Sequence, residues 1–190
     1  MTSPVVTLRQ WTDADLVPFA AMNADPRVMR YFPSRFTIEE SRAALQRYRD
    51  AISARGWGFW AVEVDGQFAG TAGLGEPSFT APFTPCVEIG WRFLPAFWGR
   101  GLAFAAARQA EDYARTVLRL HELVSFTAVP NLKSRALMER LGFTRDLAGD
   151  FLHPKLPDGH PLQLHVLYRK RLSSPALASL APADPSSSFS

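Results

Sequence analysis

Cysteine occurs once in the 190 residues, at Cys86, which excludes an internal disulfide and a Cys-based metal site. No apolar run approaches the ~20 residues needed to cross a bilayer. The opening Met1-Thr2-Ser3-Pro4-Val5-Val6 has neither the basic stretch nor the apolar core of a secretory leader. The expectation is therefore a cytoplasmic protein that does not bind a membrane. Excess charge of one sign is also missing: 21 Lys and Arg against 18 Asp and Glu leave +3. Only Tyr168-Arg169-Lys170-Arg171 gathers basic side chains, too little for a nucleic-acid footprint but compatible with an anionic ligand such as a phosphate-bearing cofactor. Internal repeats are lacking too. What is present, 47% hydrophobic and 21% charged residues, is the composition of an ordinary globular domain with chain enough for a real core.

Local signals order the chain. Val5 to Trp11 is β-branched and apolar, and Thr12-Asp13 opens a helical stretch to Met22. Thr37-Ile38-Glu39-Glu40 has the form of a capping box and starts a second helix that Gly56 ends. Strands Trp57–Val64 and Gln67–Gly73 flank Asp65-Gly66, a hairpin turn signal. A Pro-rich loop leads to a strand over Val87–Phe93. Then come a helix from about Gly101 to Leu118, a strand over Leu123–Ala128, a helix over Asn131–Leu141, a strand from Phe143 and a last strand over Leu162–Tyr168. The order β-α-α-β-β-β-α-β-α-β-β predicts a mixed α/β (α+β) domain over residues 1–171. Its central sheet has six to seven mostly antiparallel strands, with helices on both faces. From Leu172 the chain is Ser, Pro and Ala with almost no charge, which predicts a disordered tail over residues 172–190.

The chemistry-bearing signal lies between Cys86 and Phe143. Glu88-Ile89-Gly90-Trp91-Arg92-Phe93 reads as a strand, followed by Pro95 and by Trp98-Gly99-Arg100-Gly101-Leu102-Ala103 at a helix start. Glycines there let a backbone approach an anion closely, and the new helix offers free N–H groups and the positive end of its dipole. No Ser, Thr or Asp stands ready to cap it, so a pyrophosphate would complete that end. A connector that merely needs a sharp turn would use the same glycines. The Rossmann fingerprint wants a small residue where Phe104 stands, and the P-loop Lys-Ser/Thr pair is absent.

These residues resemble the acetyl-CoA-binding motif of the GNAT superfamily of acetyltransferases, and most closely the branch of the ribosomal-protein N-terminal acetyltransferases. The superfamily motif is Gln/Arg-x-x-Gly-x-Gly/Ala. Gly101 and Ala103 match it, while Trp98 replaces the Gln or Arg, a replacement usual in that branch. Asn131-Leu132-Lys133-Ser134, ending in Leu141-Gly142-Phe143, resembles the branch's Asn-x-x-Ser helix. The resemblance spans about Val5 to Arg171. It implies acetyl-CoA as co-substrate, with Phe93, Trp98, Gly99, Arg100, Gly101, Leu102, Ala103 and Asn131 around it, and no metal.

For an N-acetyltransferase the residue roles follow from what amide formation needs. Glu88 alternates with Val87, Ile89 and Trp91 and so faces the other side of the sheet from them, where a carboxylate can take the ammonium proton. Ser134, which the resemblance places near the cofactor sulfur, is the expected donor to the departing thiolate. Tyr31, Phe32 and Trp57, by analogy with relatives, and His153 from its loop, are the expected acceptor-site residues. His153, His160 and His165 fit no zinc spacing. The partners expected are acetyl-CoA and an amine, in a monomer or homodimer. The amine is that of a protein N-terminus or of a small molecule such as an amino acid, a polyamine or an antibiotic. A non-catalytic CoA-binding module is the alternative from a different class.

Overall fold

One neighbouring pair of strands runs parallel in an otherwise antiparallel sheet, and that pair carries the site. The computed structural model describes residues 4–173. Seven strands, β1 (Val6–Arg9), β2 (Phe59–Val64), β3 (Gln67–Gly75), β4 (Glu88–Phe93), β5 (Glu122–Ala128), β6 (Thr144–Leu152) and β7 (Leu164–Arg171), form one sheet in the order β1-β2-β3-β4-β5-β7-β6. Every neighbouring pair is antiparallel except β4 and β5. A parallel pair needs a crossover, and α3 (Leu102–Thr116) supplies it. The remaining helices are α1 (Leu16–Ala24), α2 (Ile38–Arg55) and α4 (Leu132–Arg140).

The local signals account for these elements. Thr37 Oγ1 accepts from the Glu40 N–H at 3.1 Å while Glu40 Oε2 accepts from the Thr37 N–H at 2.7 Å, and α2 stops at Gly56 with φ of 81°. The turn between β2 and β3 places Asp65 at φ 49° and Gly66 at φ 80°, the left-handed pair of a type I′ hairpin. The first helix starts later than expected. Asp13–Asp15 form a 3₁₀ turn because the Asp15 carboxylate is held by Arg9 through two bonds of 2.8 Å and by the Thr12 N–H at 2.8 Å. The strand expected from Trp57 begins at Phe59. The last strand runs over Leu164–Arg171, and Leu172 is only 6% exposed within the core. The tail expected from residue 172 lies, from residue 174 onward, outside the described residues.

Strand alternation sends β2 side chains to two cores. Trp60, with Leu74 and Ile89, packs on Ala107, Ala110 and Ala114 of α3, and Met138 and Leu141 of the α4 end join them. Alanine along α3 lets its backbone come close to the sheet. Ala61, pointing the other way, packs with Trp11, Phe19, Met22, Ala44 and Leu45 of the α1–α2 layer. Helices thus cover both faces, as the sequence predicts.

Candidate active site

β4 and β5 touch only at their N-terminal ends. One register pair, Glu88 with Val124, joins them; the Val124 N–H donates to the Val87 carbonyl at 3.0 Å, and Ser125 Oγ donates to the Ile89 carbonyl at 2.9 Å. Past Ile89 no further pairing between the two strands is found among the described residues. The alternation that turns the Val87 and Ile89 carbonyls toward β5 turns the peptide groups of Trp91 the same way. They face an opening in the sheet.

At the rim of this opening the chain from Pro95 to Ala103 makes a 3₁₀ turn and then starts α3. Gly99 and Gly101 both sit at φ 74°. Gly101 is the helix N-cap and has no side chain to cap it; the first bond of the helix is Ala105 N–H to the Gly101 carbonyl at 3.1 Å. Among the described residues no acceptor meets the N–H groups of Gly99 to Phe104. A Cβ added at Gly99 or Gly101 would meet nothing within 4 Å, so the loop is open around both glycines. Unsatisfied N–H groups, left-handed glycines and a helix dipole together fit a pyrophosphate. Trp98 is pinned here, its Nε1 donating to the Phe93 carbonyl at 2.8 Å, and Lys133 of α4 places its Nζ 5.6 Å above the indole. Arg100 lies over Phe97 at 5.8 Å. Leu102 and Phe93 are buried side chains of the α3–sheet core, so their backbones rather than their side chains are available to a ligand.

On the α1–α2 side the opening widens into a cavity of about 640 Å³. Its wall brings together Glu88 from β4, Asn131 and Ser134 from α4, Tyr31 and Phe32 from the loop after α1, and His153 from the loop after β6. Asn131 caps α4: its Oδ1 accepts from the Ser134 N–H at 3.4 Å while its Nδ2 donates to Thr127 Oγ1 at 2.9 Å. The Tyr168 hydroxyl, by contrast, donates to Glu139 at 2.9 Å and accepts from Arg135 at 3.4 Å, committed away from the cavity. Trp57 is not on the wall. It packs at the edge of the α3 core with the Arg55 guanidinium 3.7 Å above its ring.

Glu88 has the electrostatics of a base. Phe59 lies over Gly75 and Gly90; a Cβ on either would come within 2.6 Å or 3.1 Å of that ring, so the two glycines make room for a phenyl beside the carboxyl. Burial pushes the Glu88 carboxyl up to about 7, and Lys155 pulls weakly the other way. A carboxyl poised near neutrality in a cavity can both take and release a proton.

Sequence patterns had not singled out several wall residues. Arg92, two steps beyond Gly90, shares the face of Glu88, and period-two alternation alone would have flagged it. Tyr48 and Arg47 of α2 and Lys155 come from distant segments with no local signal. At the far end Phe79, Phe126, Phe151, His153 and His165 form an aromatic box, with the two imidazoles 4.8 Å apart. Burial depresses both histidines, His165 to about 4. No third His, Cys, Asp or Glu joins them as a metal-holding group among the described residues.

Comparison with known proteins places this geometry. A family model described as an acetyltransferase (GNAT) domain matches residues 6–144. Spermidine N(1)-acetyltransferase of Escherichia coli (strain K12) is 30% identical over 154 residues, covering 78% of this chain and 76% of that protein. FsC-acetyl coenzyme A-N(2)-transacetylase of Aspergillus fumigatus is 34% identical over 130 residues, 65% of this chain and 55% of its own length. The chain thus spans about half of the fungal relative. Among solved structures, an acetyltransferase from Agrobacterium tumefaciens str. C58 superposes with a TM-score of 0.69 at 27% identity, covering 90% of this chain and 92% of that one.

Proposed function

This chain belongs to the GNAT acetyltransferase family, and we propose that it acetylates a small primary amine, with Glu88 as base and Ser134 as the route by which the departing sulfur gains its proton. Acetyl-CoA is the co-substrate; it supplies the acetyl group as a thioester. The free N–H groups from Gly99 to Phe104 fit its pyrophosphate, and the Trp91 peptide groups in the split between β4 and β5 fit its amide arm. Asn131 would flank that arm, and Trp98 and Lys133 would close the rim.

One observation carries the reading: a single cavity holds Glu88 of β4 and Ser134 of α4 on its wall, at the opening where the sheet splits. An amine arrives as an ammonium ion and must lose two protons before the amide is complete. Glu88 takes one at its carboxylate, and the other reaches the sulfur through the Ser134 hydroxyl. With its carboxyl poised near 7, Glu88 is ionised at mildly alkaline pH, the condition under which a base works.

The acceptor assignment draws on different residues. The likeness to the ribosomal-protein branch rests on the runs Glu88 to Trp91, Pro95, Trp98 to Ala103, and Asn131 with Ser134, which belong to acetyl-CoA binding and the transfer itself and do not choose among amines. The E. coli relative is named for spermidine, a small amine, which supports a small acceptor here. The test is an acetyl-CoA turnover assay over amines and N-terminal peptides, run on the wild type, Glu88→Gln and Ser134→Ala. Loss of turnover in Glu88→Gln, with acetyl-CoA binding intact, is the expected result. Unchanged turnover in both variants would remove the catalytic assignment and leave a CoA-binding module. Peptides acetylated in preference to small amines would return the acceptor to a protein N-terminus.

A further inference from the structure

We propose that the acceptor carries a carboxylate, held by the Arg92 guanidinium while its amine stands at Glu88, with several bonds between the two groups. This rests on the amine-acetylation reading above and names the substrate class of the same cavity.

Arg92 is the observation. It lines the cavity, projects from β4 to the same side as Glu88 and is only 9% exposed. Among the described residues no carboxylate lies within ion-pairing distance of it. Its Nη1 meets the sulfur of Met29 at 3.3 Å, and its Nε has no partner. Around it stand aromatic faces: Phe32 at 4.9 Å, Phe19 at 5.7 Å and Phe36 at 5.9 Å. These faces offset part of the cost of stripping water from a cation. Tyr48 is the polar side chain that meets Arg92, and among the described residues no anion does, so the guanidinium keeps an unpaired charge on the cavity wall that a carboxylate matches. A buried cation lacking its anion is costly in a structural position, and it suits a position that a substrate anion completes.

The rest of the wall agrees on sign. Arg47, Arg55 and Lys155 also line the cavity, against Glu76 and Glu88, and Glu76 is already paired with Arg55 at 2.9 Å. A polyamine would bring further positive charge toward unpaired cations, so this wall selects against a spermidine-like acceptor while it draws in an anion. Spacing sets the length. Glu88 and Arg92 lie four residues apart on one strand, roughly 13 Å between Cα atoms at ~3.3 Å per residue. Both side chains reach in from those positions, and the span favours an acceptor whose amine and carboxylate are separated by several methylenes over one, like glycine, that carries them on one carbon.

Binding and turnover are measured separately on the full chain loaded with CoA or acetyl-CoA. Calorimetric titration compares 6-aminohexanoate with 6-aminohexanamide, glycine and spermidine. The expected result is 6-aminohexanoate bound roughly 10- to 100-fold more tightly than its amide, the range for a hydrogen bond to a charged group. That advantage should be lost in Arg92→Met and partly kept in Arg92→Lys. The amide or spermidine binding as tightly as the acid, glycine binding as tightly as the longer acid, or an advantage that survives Arg92→Met would each overturn the proposal. The wild-type titrations decide even where Arg92→Met fails to fold. The transfer reading fails independently, when 6-aminohexanoate binds and no amine is acetylated.

Discussion

Glu88 pairs with Val124 in the one step that joins β4 to β5, so the proposed base sits at the vertex of the sheet's split. Two consequences follow from that position. The side chain is fixed by strands on both flanks, Gly75 on one and Val124 on the other, instead of riding on a loop. And it lies where the backbone opening and the cavity meet, so in the proposed reaction amine and thioester would converge beside it without any rearrangement of the sheet.

Replacing Glu88 with Gln keeps shape and removes the proton acceptor. Turnover should fall by about 10²–10⁴-fold, the usual contribution of a positioned base, with the acetyl-CoA dissociation constant unchanged. In the wild type kcat/KM should rise with pH through about 7, where the carboxyl becomes ionised, and this limb should vanish in Glu88→Gln. A limb of the same midpoint in the variant would assign it to another group.

Gly101→Val tests the phosphate cradle. The position has open space around its Cβ, so the change creates no clash, but φ of 74° is left-handed and a β-branched residue there costs about 1–2 kcal/mol or more. The variant should still fold, with a lowered Tm. Saturating acetyl-CoA at about 100 times its Kd should add roughly 2.7 kcal/mol to wild-type stability, a shift of several degrees, and should add little to the variant. Equal shifts in both proteins would place the pyrophosphate elsewhere.

Legibility in the sequence followed the range of the interaction. The capping box at Thr37 and Glu40, the Asp65-Gly66 turn and the bare N-terminus after Gly101 are all local, and each is written in a few adjacent residues. Glu88 was placed by period-two alternation, which is equally local. The far wall of the cavity is not. Lys155 is fixed by its Nζ donating to Ser78 Oγ at 2.6 Å, across 77 residues of sequence, and no pattern within either loop announces the meeting. Trp57 was expected at the acceptor site by analogy alone; it precedes β2 and packs with Trp60 at the α3 edge, and no pattern around it shows which face it takes.

The ion pair at Glu111 is structural, and its loss should read only as stability. Lys170 Nζ donates to Glu111 Oε1 at 2.6 Å and to the Leu141 carbonyl at 2.5 Å, tying β7 to α3 and to the end of α4. Glu111→Gln removes the anion from the part-buried ammonium and from Arg108, which reaches the same oxygen at 3.3 Å, and should cost about 3 kcal/mol, the low end for breaking a buried pair. Chemical denaturation should show that loss with an unchanged m-value, while KM for acetyl-CoA at a permissive temperature stays at the wild-type value. A shift in KM with no loss of stability would contradict the structural assignment.

Acid should weaken the fold through His165, which is 7% exposed and packed between Phe151 and His153. Burial depresses its pKa from the usual 6.5 to about 4. Between those values the unfolded chain binds a proton that the folded chain refuses, so stability falls as pH drops from about 6.5 toward 4, and this group contributes no change above that window. Glu88 acts in the opposite sense. With its pKa raised to about 7, its folded form holds a proton that the unfolded chain releases, so its contribution declines as pH rises toward 7. The two partly cancel in the wild type, and the total curve alone does not isolate either one. His165→Phe keeps an aromatic ring in the box and removes the titration. The difference between wild-type and variant unfolding free energies should therefore slope between pH 6.5 and 4, with the variant gaining relative stability on the acid side. A difference that stays flat across that range would mean burial does not keep the folded imidazole neutral.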